Sequence, residues 1–173
     1  MTQQTKVVFD GEMFTCYGMM FVEARDCPPM LAEDAFQGQS NGLCGGITQG
    51  GLFLMLGIHT GEVPLTIRVH EQQPAVDNTW EEIVEASCHL PQWPIYLMAW
   101  GGKGVQLDMQ AGSYRARFSG TKFGRSEELR FEGESGEHYL LDLWPAPPKP
   151  DAVLKVTTAS ADYWHSVARK YVA

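Results

Sequence analysis

The chain has 173 residues, 44% of them hydrophobic and 20% charged, and 13 basic against 21 acidic side chains leave a net charge of −8. That balance excludes a disordered chain, and the longest strongly apolar run, residues 52–58, is too short to span a bilayer. The acidic surplus argues against nucleic acid as a direct partner, because phosphate binding wants a basic face, and it suits a basic protein partner.

In chain order, the N-terminus has no basic region followed by a long apolar stretch, so a cytoplasmic protein without a secretory signal is expected. Residues 14–23 form a first strand candidate. Residues 25–49 hold Cys27-Pro28-Pro29, Gly38, Asn41-Gly42 and Gly45-Gly46, and read as a long crossover loop with one helical turn near residues 30–36. Residues 52–58 and 95–100 are uniformly apolar, which fits central strands covered on both faces. Between and after them runs a two-residue alternation, the signature of strands with one covered and one wet face. Leu65, Ile67 and Val69 oppose Thr66, Arg68 and His70. Val84, Ala86, Cys88 and Leu90 oppose Glu85, Ser87 and His89. Leu107 and Met109 oppose Asp108 and Gln110, and Tyr114, Ala116 and Phe118 oppose Arg115 and Arg117, which predicts a hairpin turning at Gln110-Ala111-Gly112. Tyr139, Leu141 and Leu143 oppose Asp142 and Trp144.

After Pro150 the pattern changes. Ser160 suits a helix N-cap, Asp162 the first turn, and Arg169 and Lys170 the last, so a helix is predicted over residues 160–172 with Tyr163, Val167 and Lys170 on one side. The expected fold is all-β, an antiparallel β-sandwich or jelly roll of about eight or nine strands with a C-terminal helix. Residues 1–150 form the sandwich domain and residues 151–173 a helical tail laid on it. The candidate core is Val84, Cys88, Leu107, Tyr114, Phe118 and Leu141.

Four cysteines, at 16, 27, 44 and 88, form no CxxC motif, so free thiols are expected. No HxH pair exists for a cupin-type metal site, and neither metal nor cofactor is expected. Cys88 and His89 are strand neighbours pointing to opposite faces and cannot act as a nucleophile–base pair. Two enzymatic options remain: Cys44 in its glycine setting, or His70 meeting His89 across strands. Gly45 to Gly51 is glycine-rich but lacks the Lys-Ser/Thr ending of a phosphate loop. Trp144-Pro145-Ala146-Pro147-Pro148 reads as a stiff strap across a sheet end, with Trp144 against Tyr163 or Trp164.

The candidate partner-binding residues are Glu127, Glu128, Glu132, Glu134 and Glu137 around Phe131. Five carboxylates fall within 11 residues, and folding alone does not require five like charges so close together. Such a surface speeds the encounter with a basic partner, and a buried aromatic supplies what charge alone does not.

The order of features resembles the competence protein J family, small bacterial proteins that inhibit a DNA-entry nuclease. The matching stretches are Phe14-Thr15-Cys16-Tyr17, Asp26-Cys27-Pro28-Pro29-Met30, Gly45-Gly46-Ile47, the strand ending at Ile58, the strand over residues 63–69, and Val105 to Arg115. Together they cover roughly residues 7–145. The tail, from Tyr139-Leu140-Leu141-Asp142-Leu143-Trp144 through Pro150-Asp151 to Tyr163-Trp164-His165, departs from that family and is similar to the ends of uncharacterised bacterial proteins. The resemblance implies a non-catalytic inhibitor or immunity-type partner of a basic nuclease or toxin, and no catalytic residue. The alternatives are a small-molecule or carbohydrate-binding jelly roll using Trp93, Trp100 or Trp144, and an enzyme using Cys44 or a histidine pair. The oligomeric state stays open, a homodimer among the options.

Overall fold

The computed structural model describes residues 4–100, 103–128 and 135–171. The alternating segments become strands, and those strands fall into two sheets. The larger sheet has the order β1 (Thr5–Cys16), β5 (Thr60–His70), β10 (His138–Pro145), β9 (Gly112–Thr121), β6 (Glu82–Leu90), β11 (Ala152–Lys155). The smaller has the order β3 (Cys44–Gly45), β4 (Gly51–Met55), β2 (Met19–Ala24), β7 (Ile95–Ala99), β8 (Val105–Leu107). Short helices α1 (Ala32–Ala35) and α2 (Arg125–Glu128) and the longer α3 (Ala159–Ala168) complete the described elements.

The protein is thus mostly β and sandwich-like, with one mixed and one antiparallel sheet. Inner faces of both sheets feed one hydrophobic core, which joins Leu52, Leu54 and Val22 of the small sheet to Ile67, Val84, Phe118 and Leu141 of the large one. All six candidate core residues are buried. The apolar run at β4 is buried on both faces, as expected, whereas β7 buries Ile95, Leu97 and Ala99 and leaves Tyr96 and Met98 partly exposed on its other face.

Several expectations are corrected. Eleven strands are present among the described residues, and β5 and β10 run parallel. The first half of β1 was not foreseen, and residues 14–23 split into the end of β1, a turn, and β2. Tyr17 and Gly18 both take positive φ there, and a Cβ on Gly18 would lie 2.7 Å from the Ile58 carbonyl oxygen. The turn carries the chain from one sheet to the other. The expected 105–118 hairpin does not form for the same reason: β8 pairs with β7 in the small sheet and β9 with β6 and β10 in the large one. Alternation sets which face is buried, not which strand lies alongside.

The tail is not all helix, since β11 pairs with β6. Thr158 rather than Ser160 caps α3, its hydroxyl accepting from the Ala161 N–H. The helix buries Ala161, His165 and Ala168, while Tyr163 is exposed. Small side chains let the helix backbone approach Gly42, where a Cβ would fall 2.0 Å from the Trp164 carbonyl oxygen.

Leu107 is fully buried at the edge of the small sheet. Leu107→Ala is expected to cost about 2–5 kcal/mol, read from the urea midpoint at unchanged slope.

Candidate functional site

The outer face of the large sheet was expected to be wet. It carries instead a row of alternating charge across four neighbouring strands. Glu85 on β6 stands opposite Arg117 on β9, Arg117 opposite Asp142 on β10, and Asp142 opposite Arg68 on β5. Glu85, Arg117 and Asp142 are buried. Glu85 accepts from Nε of Arg115 at 3.1 Å and from Nε of Arg117 at 2.9 Å. Asp142 is held by Nε and Nη2 of Arg68 at 2.7 and 3.0 Å and faces Nε2 of His70 at 2.6 Å.

The guanidiniums also hold down the segments that cover this face. Nη1 of Arg117 donates to the Pro74 and Ala75 carbonyls in the β5–β6 connection. Nη1 of Arg115 donates to the Lys149 and Pro150 carbonyls in the strap after β10. Trp144 is buried here, with the Arg117 guanidinium 5.2 Å from its ring centre, while Tyr163 and Trp164 meet each other. The strap expectation stands in outline, but the partner of Trp144 is a cation.

The strap continues into a second lock. Oδ2 of Asp151 accepts from the backbone N–H and hydroxyl of Ser40 and from the backbone and side-chain amides of Asn41. Oδ1 of Asn41 accepts from the N–H groups of Leu43 and Cys44. The glycine loop is therefore a clamped structural segment. Cys44 is fully buried, and burial, followed by the nearby Cys88, pushes its thiol well above the usual range. It is not poised as a thiolate nucleophile. Nor do His70 and His89 meet: β10 and β9 lie between their strands, and His89 faces the Ser113 hydroxyl. Among the described residues, no three His, Cys, Asp or Glu side chains gather where a metal could sit.

Of the predicted docking residues, Glu127 and Glu128 lie on α2, and Phe131, Glu132 and Glu134 fall outside the described residues. Glu137 is 2% exposed, so it is no part of a solvent-facing charge. Its Oε1 accepts from the backbone N–H and hydroxyl of Ser126, and its Oε2 from the Tyr139 hydroxyl. Glu137 thus ties the two ends of the acidic segment together. Beside that base, a groove of about 740 Å³ is lined in part by Glu12, Glu62 and His138. On the same outer face, Asp10, Glu12 and Phe14 of β1 stand opposite Thr66, Pro64 and Glu62 of β5, and Phe14 is half exposed. This acidic continuation was missed, since only strand pairing brings β1 beside β5.

No family model matches the sequence, and no curated protein matches it. The fold itself is shared with solved structures. The chain superposes on the crystal structure of ComJ, an inhibitor of the DNA-degrading activity of NucA from Bacillus subtilis, with a TM-score of 0.60 at 15% identity, covering 83% of this chain and 99% of that one. It also superposes on the crocagin biosynthetic gene J protein, with a TM-score of 0.54 at 11% identity over the same shares. Each superposition therefore leaves about a sixth of this chain without a counterpart. No helix among the described residues is long and apolar enough to cross a membrane.

Removing Glu85 would strand two buried guanidiniums. Glu85→Ala is expected to cost about 3–5 kcal/mol and to raise amide exchange in both covering segments. His165 gives a pH test. It is 1% exposed, its Nδ1 accepts from the Gly42 N–H at 3.0 Å, and its Nε2 has no hydrogen-bond partner among the described residues. Burial, then Arg169, lowers its pKa from the ordinary 6.5, with Asp162 and Asp151 pulling the other way. The folded state thus binds this proton less readily than the unfolded state. The contribution is full above about pH 6.5 and is lost as the pH falls toward the depressed value. In His165→Asn, which keeps an acceptor for Gly42, the melting temperature is expected to depend less on pH across that window than in the parent.

Proposed function

We propose that this chain is a non-catalytic binding module that restrains a protein partner, of the kind a basic nuclease or toxin would be. The observation that carries the reading is the shared fold with ComJ over 99% of that inhibitor. The net charge of −8 supports it, because a basic partner would be drawn to this chain at long range. The docking surface we propose is the acidic segment with Glu127, Glu128, Phe131, Glu132 and Glu134, closed at its base by Glu137. It extends onto Asp10, Glu12 and Glu62, with Phe14 as a further apolar anchor. Charge guides the encounter, and the aromatic side chains contribute affinity once water is excluded.

The test is capture from the source cell followed by reconstitution with the purified partner. Inhibition of a basic enzyme at one-to-one stoichiometry supports the reading. An unaffected activity, or no basic protein among those captured, overturns it. With the partner in hand, replacing Glu127, Glu128 and Glu132 by Gln is expected to lower the association rate at low salt, with dissociation and melting temperature nearly unchanged. An unchanged association rate would return the segment to a solvated loop.

A further inference from the structure

A second groove lies at the opposite end of the large sheet from the acidic segment, where β5 and β10 end and β9 begins. It encloses about 820 Å³, within the range of about 300–1,000 Å³ typical of small-molecule sites. Its walls come from both sheets: Lys6 belongs to β1, and Asp108 follows β8. Nothing in the fold or in the proposed docking surface uses it.

Its chemistry is specific. Trp93 lines the groove with 59% of its surface exposed. An exposed indole in a groove offers a flat aromatic face with a polar N–H at its edge, on which a ligand can lie. The rim around it is polar and planar: Gln4, Glu71, Asp108 and Gln110 present amides and carboxylates. The floor includes Met109 and Tyr114, both buried, and the Tyr114 hydroxyl donates to the Gln110 carbonyl, which fixes the loop that bears Gln110. Lys6, the lysine of the lining, is already bound to Asp108.

We propose that this groove binds a neutral saccharide, with a pyranose ring laid on the Trp93 indole. A sugar ring has one face of C–H bonds, which suits an aromatic surface, and a rim of hydroxyls that both donate and accept. Carboxylates and primary amides serve such hydroxyls two at a time. An anionic ligand is disfavoured, since Lys6 and Asp108 cancel one another, Glu71 leaves the lining acidic, and the ring nitrogens of His70 are engaged by Asp142 and Thr5. A purely apolar ligand would leave the rim's polar groups desolvated without partners.

The experiment titrates the intact chain with maltotriose, cellotriose and chitotriose, with trigalacturonate as the charged control, and follows the indole N–H signals by NMR. The expected result is saturable movement of the Trp93 signal with at least one neutral trisaccharide, at a Kd of about 1 mM or tighter. Trp93→Ala should weaken that binding at least about tenfold, Glu71→Gln or Gln110→Ala should weaken it less, and Trp100→Ala should leave it unchanged. Trp93 is exposed, so its variants should fold, and Trp93→Phe should retain part of the affinity. Three outcomes overturn the proposal: no neutral trisaccharide binding up to about 10 mM, binding undiminished in Trp93→Ala, or tighter binding of trigalacturonate.

Discussion

One buried carboxylate sets the arrangement of the outer face of the large sheet. Glu85 lies buried on the outer face of the large sheet between Arg115 and Arg117. Burying charge carries a large desolvation cost, so an ion pair of this kind adds little net stability. Its effect is on arrangement. The two guanidiniums are held in place by Glu85, and the Nη1 of each reaches carbonyls, those of the 71–81 connection from Arg117 and those of the strap from Arg115. A sheet face that alternation would leave in water becomes a second, polar interior. Asp142, with Arg68 and His70, extends it by one more strand pair.

From that arrangement the C-terminal region takes its place. The strap held by Arg115 brings Asp151 against Ser40 and Asn41, and α3 then docks its small face on Gly42. Glu82, also buried, accepts from Thr157 and Thr158 and so fixes the start of α3. The long crossover loop is ordered from outside, by a segment more than a hundred residues away in the chain. The Asn41–Cys44 region has a structural role on this account, which removes the setting that a reactive Cys44 would need.

The two ends of the molecule are chemically different. One end carries the Ser126–Glu137 tie and the acidic residues of β1 and β5 beside it. The other carries the Trp93 groove, with its polar rim and fixed floor. The separation lets the two proposals stand or fall independently, because no residue named for one is named for the other.

The sequence by itself determined the β class, the inner face of β5, β6, β9 and β10, and the single turn of helix at α1. Each is a local property: side chains alternate along a strand, and the apolar set follows whichever face is covered. It also determined the order of motifs that resembles the competence protein J family, ahead of any superposition. Tertiary structure alone decided which strands are neighbours. Glu85, Arg117, Asp142 and Arg68 are each a charged residue on a polar face when read singly, and only strand pairing sets them in a row. Glu137 read as one more surface carboxylate until the fold turned it inward onto Ser126 and Tyr139. His165 and Gly42 lie 123 positions apart, and their contact exists because a helix of small residues approached a glycine backbone. Charge burial and close backbone approach are properties of pairs, and a single chain pattern records only their members.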